Sequence, residues 1–236
     1  MKTKNINTAE YYCLQGENQF FDRKSARIKP IDILKHLVAF ANSEGGKMGT
    51  KKEEYLSKKR AVELWDKGII NEFEVGTFKG LQQIHKYIFQ DVFSFAGKIR
   101  SVNLAKGNFR FASLLFLEDN LKIIEKMPEN EFDEIVEKYV EMNVAHPFRD
   151  GNGRVTRIWL DLILKKNLKK CVDWQKIDKM AYLQAMERSP VNSLELKHLI
   201  KNDMIEDTEN RDVYMKGIER SYEYEEQNDI DIYDIK

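Results

Sequence analysis

The segment between residues 146 and 157 combines residue types that suit phosphate chemistry. It reads His-Pro-Phe-Arg-Asp-Gly-Asn-Gly-Arg-Val-Thr-Arg. The glycines Gly151 and Gly153 permit positive φ angles and let the backbone approach a ligand closely. A helix that begins after them would offer free N–H groups and a partial positive charge to an anion. The segment therefore predicts a phosphate-binding loop at the N-terminus of a helix.

Four side chains in this segment have distinct roles in such a site. Arg154 and Arg157 are three positions apart on the predicted helix, where both guanidinium groups can make bidentate contacts with phosphate oxygens. Asp150 offers the hard oxygen ligand that Mg²⁺ prefers beside phosphates. His146 has an ordinary pKa of about 6.5, so it can accept a proton from a hydroxyl. These residue types together favour phosphate chemistry in which His146 can serve as a base and Asp150 as a metal ligand.

Each of these residues also has a structural interpretation. A histidine before proline commonly ends a helix, and Arg157 can pair with Asp161 four positions later. One Gly-x-Gly is weak evidence of phosphate binding, and the Gly-Lys-Ser/Thr of the usual P-loop is absent. Taken singly, every position favours the structural interpretation. Taken as one run at the head of an apolar helix, the segment favours the functional one.

The elements around this segment predict a mainly α-helical chain. Apolar residues recur at helical spacing in segments 31–41, 53–66, 80–95, 131–145, 153–166, 175–187, 193–205 and 211–225. Asn130 is the expected N-cap of the helix that precedes the phosphate-binding loop. The glycine-containing segment 43–54 is expected to be a linker or turn. Two short apolar runs between residues 99 and 112 flank a glycine-containing turn and predict one β-hairpin.

Composition and charge limit the class of protein. The chain has 236 residues, 42% of them hydrophobic, which suits one globular domain with a small appendage. The formal net charge is zero, so charge favours neither a nucleic-acid partner nor a membrane. Residues 203–236 are nevertheless acidic, with 12 acidic and 4 basic side chains. Cys13 and Cys171 match no metal or redox spacing. No stretch has the features of a signal peptide or a membrane span, so a cytoplasmic protein is expected.

The run from His146 to Arg157 resembles the signature of the Fic family, His-x-Phe-x-Asp/Glu-Gly-Asn-Gly-Arg-x-x-Arg, at every specified position. Three other segments look like Fic segments, namely 76–81, 95–100 and 185–190. Phe95 departs from the family, in which many members have tryptophan. The resemblance implies a Fic domain over residues 51–236, a mainly α helical bundle with one β-hairpin flap, and an N-terminal appendage over residues 1–50.

This resemblance implies a protein adenylyltransferase that uses ATP and Mg²⁺, or another divalent cation, to transfer AMP to a Ser, Thr or Tyr hydroxyl of a target protein. His146 would deprotonate the hydroxyl, Asp150 would hold the metal, and Phe148 would anchor the loop in the core. The nucleotide would be contacted by Lys106, Asn143, Gly151, Asn152, Gly153, Arg154 and Arg157. The hairpin over 99–112 would be the flap along which the target docks, because an exposed hairpin edge can add a strand.

The last predicted helix, about 211–226, is similar to the inhibitory helix of one Fic subclass. Ser221 and Glu225 match the inhibitory pattern Ser/Thr-x-x-x-Glu-Gly/Asn, although Glu226 stands where glycine or asparagine is usual. The resemblance implies that Glu225 pairs with Arg157 and withdraws it from the γ-phosphate of ATP. An exposed acidic helix is the alternative interpretation.

Three further properties are implied by relatives of this subclass. The inhibitory glutamate can also support removal of AMP from a modified target. A tyrosine of the inhibitory helix can itself be modified, for which Tyr222 is the candidate. The chain can also form a homo-oligomer.

The N-terminal segment 16–46 resembles the start of an AlbA-type domain. The likeness lies in Ala-Phe-Ala-Asn-Ser-Glu-Gly-Gly over residues 39–46. The strands that should follow are missing, so we expect a truncated remnant and no nucleic-acid partner. Two alternatives stay open: a DNA-associated regulatory or interaction protein with a vestigial Fic site, and a Fic-fold transferase of another phosphate-containing group.

Overall fold

The computed structural model describes residues 44–106 and 109–235, with side chains from residue 51 onward. Its helices are α1 (Glu44–Asp66), α2 (Phe78–Phe89), α3 (Leu114–Glu125), α4 (Phe132–Ala145), α5 (Asn152–Leu168), α6 (Lys179–Arg188), α7 (Leu194–Asn202) and α8 (Arg211–Glu223). Short 3₁₀ turns cover Ile69–Glu72 and Ile232–Asp234. The prediction of a mainly α fold is confirmed. None of the described helices combines the length and apolar content needed to span a membrane.

Two short antiparallel ladders complete the described fold. In the first, β1 (Ala105–Lys106) pairs with β2 (Phe109–Arg110), within the hairpin predicted over 99–112. In the second, β3 (Cys171–Val172) pairs with β4 (Met204–Ile205). The second ladder was not predicted, because two-residue strands leave no alternating pattern in the sequence.

Helix α5 lies at the centre of the core. Its sequence is apolar on several sides, which is typical of a helix that is buried all round. Val155, Trp159 and Ile163 are fully buried, and α5 packs against α2, α4 and α8. The Trp159 indole N–H donates to the carbonyl of Thr77 at 3.0 Å, and the Thr77 hydroxyl caps α2. The start of α2 is thereby fixed to α5.

The prediction of a helix over 80–95 is wrong beyond Phe89, where α2 ends. Val92 and Phe95, which continue the apolar spacing, lie in turns rather than on a helix. Phe93 stacks on Phe89 at 5.0 Å between ring centroids, and Phe95 stacks on Phe93 at 4.7 Å. Phe95 thus packs through aromatic contacts in a turn, although its spacing in the sequence predicted another helical turn.

Two other local predictions are wrong. Helix α1 begins at Glu44 and includes most of the segment predicted as a linker over 43–54. A glycine costs a helix only about 1 kcal/mol relative to alanine, so the segment does not have to break the helix.

Glu131, not Asn130, is the N-cap of α4. The backbone N–H groups of Asn130 and Glu131 donate to the Glu134 carboxylate at 2.9 and 3.2 Å, which is half of a capping box.

Some predictions fall on residues outside the described ones. The helix over 31–41 and nearly all of the AlbA-like segment 16–46 belong to this group, as does the hairpin turn at 107–108. The domain boundary at residue 50 stays a prediction.

A buried lysine attaches α1 to the C-terminal part of the chain. Lys58 is fully buried, and its ammonium group lies 2.9 Å from Glu54 and 3.0 Å from Glu219 of α8. It also donates to the carbonyl of Ile230 at 2.5 Å. Because a buried charge is costly unless it is paired, these contacts hold α1, α8 and the segment after α8 together.

We expect Lys58→Met to lower the free energy of unfolding by about 3–5 kcal/mol, because it leaves two carboxylates without their buried cation. Lys51→Met is the matched control, since Lys51 and its partner Asp229 are 56% and 53% exposed. The control should change stability by less than about 0.5 kcal/mol. Urea unfolding followed by circular dichroism measures both. Similar small losses in the two variants would contradict the structural role of Lys58.

Candidate active site

The loop between α4 and α5 contains the residues predicted to do chemistry. His146 ends α4 in the left-handed region with a φ of 49°. Gly151, with a φ of 76°, precedes the first turn of α5. A Cβ atom at Gly151 would lie 2.4 Å from the Phe89 ring, so only glycine fits there. The loop is thus fixed by a tight turn at each end.

Phe148 anchors this loop, as predicted. Its side chain is fully buried and stacks on the His85 ring at 3.9 Å between centroids. The Asn152 side chain closes the loop around it. The Asn152 Oδ1 accepts from the Phe148 N–H at 2.9 Å, and its Nδ2 donates to the Phe148 carbonyl at 2.8 Å.

The two asparagines predicted to contact a nucleotide are both engaged inside the protein. Besides the bonds of Asn152, the Asn143 Nδ2 donates to the Tyr139 carbonyl at 2.8 Å. Asn143 Oδ1 accepts from the Thr156 hydroxyl at 3.1 Å. A buried amide must be satisfied by nearby polar groups, and here the loop and α5 supply them. Both side chains position the loop in this structure, and their nucleotide contacts stay predictions.

His146 lies beneath the hairpin. Its side chain is 6% exposed and stacks on Phe111 at 3.6 Å between ring centroids. The His146 Nδ1 lies 3.3 Å from the carbonyl of Asn143, which can only accept, so this contact requires the proton on Nδ1 and leaves the lone pair on Nε2. Burial, reinforced by the positive charges of Arg100 and Lys106, lowers the pKa of His146 to about 3. The ring is therefore neutral near pH 7, the form that a general base needs.

Arg100 fixes the end of α4, a role that sequence reasoning missed. Its Nε donates to the His146 carbonyl at 2.8 Å, and its terminal nitrogens donate to the carbonyls of Ala145 at 3.2 Å and Ala112 at 2.5 Å. A cation at a helix C-terminus satisfies carbonyls that lack helical partners. Arg100 therefore ties the hairpin to the loop. The sequence around Arg100 does not indicate this role, because the hydrogen-bond partners of Arg100 are backbone carbonyls and not acidic side chains.

The two signature arginines are buried and bonded to other parts of the chain. The Arg157 Nε donates to the Ser221 hydroxyl at 2.6 Å, and a terminal nitrogen donates to the Ser221 carbonyl at 3.1 Å. Arg154 donates to Gln227 at 2.9 Å and to Glu53 of α1 at 3.2 Å. Both groups that were predicted to bind phosphate are thus held by α1, α8 and the segment after α8.

Glu225 lies between the hairpin and the N-terminus of α5. A Cβ atom at Gly153 would be 3.2 Å from Glu225 Oε1 and 3.4 Å from both terminal nitrogens of Arg157. The ion pair of Glu225 among the described residues is with Lys106 of β1, at 3.7 Å. Burial opposes the charge of Arg157, but Glu225 is among the groups whose negative potential raises the pKa of the guanidinium. Glu225 thus approaches Arg157, whose hydrogen bonds go to Ser221.

Asp150 lies at the rim of the loop, with its side chain 38% exposed. One carboxylate oxygen accepts from the Gly151 N–H at 2.5 Å and from Arg154 at 3.2 Å. The described residues contain no cluster of three or more histidine, cysteine or acidic side chains that could hold a metal. A single exposed carboxylate beside a phosphate site nevertheless fits Mg²⁺, which takes one or two protein carboxylates and completes its shell with phosphate and water oxygens.

Tyr222, the predicted self-modification residue, is only 1% exposed. Its ring lies 5.2 Å from the Arg154 guanidinium carbon and 5.2 Å from the Lys58 ammonium nitrogen. A second molecule can reach this phenol only if α8 detaches. Modification of Tyr222 stays a prediction.

Comparisons with known proteins agree with this geometry. Residues 77–164 match the model of the Fic/DOC family. The chain is 32% identical over 168 residues to protein adenylyltransferase VbhT of Bartonella schoenbuchensis, an alignment that covers 65% of this chain and 34% of the relative. It is 26% identical over 136 residues to the probable protein adenylyltransferase Fic of Escherichia coli, covering 53% of this chain and 68% of the relative. The chain thus spans about a third of the length of VbhT.

Solved structures share the fold. The BepC protein of Bartonella tribocorum with bound AMPPNP matches with a TM-score of 0.55 and 20% identity, covering 68% of this chain and 88% of that one. The N-terminal FIC domain of Bep8 from Bartonella matches with a TM-score of 0.57 and 18% identity, covering 71% and 90%. At this level of identity the likeness concerns the fold.

The lowered pKa of His146 predicts a specific dependence of stability on pH. An unfolded histidine has a pKa of about 6.5, and the folded value is about 3, so between these values only the unfolded state binds the proton. The contribution of His146 is complete above pH 6.5 and is lost as the pH falls, by about 1.4 kcal/mol per pH unit. Between pH 6 and 4, the free energy of unfolding measured in urea should fall more steeply with decreasing pH for the wild type than for His146→Gln, by this amount per pH unit. Parallel curves would contradict it, since the other groups titrate in both proteins.

Removing the ring of Phe111 should uncover His146. We expect Phe111→Ala to increase the rate at which diethylpyrocarbonate modifies His146 by several-fold, because the reagent needs access to a neutral imidazole. Peptide mass spectrometry measures the rate. The exposed His198 is the internal control, and its rate should stay the same. An unchanged rate at His146 would mean that Phe111 does not cover it.

Proposed function

A Fic/DOC family domain occupies residues 77–164 of this chain, and from this premise we propose that the protein transfers AMP from ATP to a Ser, Thr or Tyr hydroxyl of a target protein. The observation that carries the proposal is the loop between α4 and α5. It places a neutral imidazole, an exposed carboxylate and the N-terminus of a helix with two arginines within twelve consecutive residues. The curated relatives VbhT and Fic, both named as adenylyltransferases, support the same reaction.

His146 would act as the general base. Its Nε2 accepts the proton of the target hydroxyl while that oxygen forms a bond to the α-phosphorus of ATP. The bond between the α-phosphorus and the bridging oxygen breaks, and pyrophosphate leaves. The neutral form of His146 supports this role, because a protonated ring has no lone pair to offer.

The phosphates would lie at the N-terminus of α5. The N–H groups of Gly151 and Gly153 belong to a helix N-terminus, which attracts anions, and Arg154 and Arg157 supply positive charge beside it. Asp150 is the residue that would hold Mg²⁺, which when bound neutralises phosphate charge. In such reactions, positioning and charge neutralisation account for most of the catalysis.

We further infer that this conformation is inhibited. Arg157 is bonded to Ser221, and Glu225 lies beside Gly153, where an incoming γ-phosphate would bring more negative charge. A carboxylate and a phosphate then compete for one guanidinium group. Phe111 also covers His146, so a target hydroxyl reaches the base only after the hairpin moves. Removal of AMP by the same site would depend on Glu225 as well.

Labelling with ATP tests the proposal. ATP labelled at the α-phosphate and ATP labelled at the γ-phosphate are incubated separately with cell lysate and each variant. We expect α-label on protein to rise about tenfold or more for Glu225→Gly, equal to about 1.4 kcal/mol of lost inhibition. Adding His146→Ala should lower labelling by a factor of about 10²–10⁴, because it removes the base.

Glu226→Gly is the matched control. It removes the neighbouring carboxylate by the same substitution, and Glu226 has a φ of 59°, where glycine is accommodated without strain. This control should stay as weakly active as the intact chain. Protein carrying γ-label would indicate a kinase instead. Absence of both labels from Glu225→Gly would favour a vestigial site.

A further inference from the structure

His85 is a buried histidine that the mechanism above does not use. It lies on α2, is fully buried, and makes two hydrogen bonds that join separate parts of the chain. Its Nδ1 lies 2.8 Å from the backbone nitrogen of Gly97, in the turn before the hairpin. Its Nε2 lies 2.9 Å from the carbonyl oxygen of Asp150.

These two partners determine the tautomer. The Gly97 N–H can only donate and the Asp150 carbonyl can only accept, so the ring is neutral, with its proton on Nε2. Burial, the main cause, lowers the pKa of His85 to about 4, which agrees with a neutral ring. In this geometry the ring donates to the phosphate-binding loop and accepts from the turn before the hairpin.

We propose that His85 is a positioning residue for ATP binding: its Nε2–H holds the Asp150 carbonyl and thereby aims the N–H of Gly151 toward the phosphates. The proposal rests on the proposed function of the loop. A trans peptide is planar, so its C=O and N–H point in opposite directions. With the carbonyl held by His85, the Gly151 N–H must face the other side of the loop, where it now donates to the Asp150 carboxylate.

The loop needs such a contact because glycine does not select one orientation by itself. Gly151 has a φ of 76°, and glycine populates positive and negative φ about equally. Rotation of the preceding peptide would bury the N–H and present a carbonyl to the phosphates, which repel it. The hydrogen bond from His85 disfavours that rotation.

Packing is the competing explanation, since the His85 ring also stacks on Phe148. Two substitutions separate the roles. In His85→Gln, the side-chain amide nitrogen can reach the position of Nε2 and donate to Asp150. In His85→Asn, the shorter side chain can replace only Nδ1 as the acceptor for Gly97. Both variants lose the stacked ring, and asparagine fills less of its volume, so a packing role predicts that the loss of ATP binding follows the loss of melting temperature.

The variants are compared in the Glu225→Gly background. We expect His85→Asn to weaken binding of ATP in calorimetry and to lower kcat/KM for AMP transfer, each by about tenfold, and His85→Gln to recover most of the loss. The Gly151 amide signal in NMR should move in His85→Asn and stay near its original position in His85→Gln. The proposal would be overturned by equal losses in both variants, or by losses of ATP binding that follow the drop in melting temperature of each variant.

Two measurements keep this test separate from the proposed function. If the Glu225→Gly protein does not transfer AMP, the transfer function fails, while calorimetry and the Gly151 signal still decide the role of His85. If His85→Asn does not fold, NMR of the imidazole nitrogens in the intact chain replaces it. A proton on Nε2 with coupling to the Asp150 carbonyl supports the proposal, and a proton on Nδ1 overturns it.

Discussion

The burial of two guanidinium groups beside the N-terminus of α5 is the constraint on which the rest of this structure depends. A buried cation is tolerated only when acceptors surround it. For Arg154 and Arg157 those acceptors come from α1, from α8 and from the segment that follows α8. The ends of the described chain are therefore drawn onto the loop between α4 and α5. An anion bound there would take over the role of these acceptors.

The site is covered from two directions. The C-terminal side reaches the arginines through Ser221 and Gln227, while the hairpin reaches His146 through Phe111. Lys106 and Glu225 connect the two covers by an ion pair. This pair is partly exposed, so its energy is modest. The ion pair matters because it links the hairpin to the segment after α8, so that movement of one disturbs the other.

The sequence predicted the loop and the helices on both sides of it, because these depend on local periodicity and on residue type. The anchoring by Phe148 was implied by the resemblance to the Fic family. The sequence did not predict that the side chains of Asn143 and Asn152 form hydrogen bonds within the protein. The residue type shows that an amide can donate and accept hydrogen bonds, but it does not show which groups are its partners. The roles of His85 and Arg100 were missed for a similar reason. Their hydrogen-bond partners are backbone groups distant in the sequence. Every residue has such groups, so the sequence does not indicate which of them a side chain will contact. The end of α2 was misplaced because two apolar residues in the turns after it, Val92 and Phe95, fall at helical spacing.

The brevity of the β1–β2 ladder has a consequence for how a substrate would be received. Each strand has two residues, and a two-stranded ribbon is marginally stable in water, whereas three strands can sustain a sheet. Lys106 of the ribbon contacts Glu225, and Phe111 beside it covers His146, so two of its contacts are to groups that the proposed reaction would uncover. An extended segment from another protein would supply the missing third strand. Recognition and assembly of the sheet would then be one cooperative event, in which the incoming chain helps to build the surface that binds it.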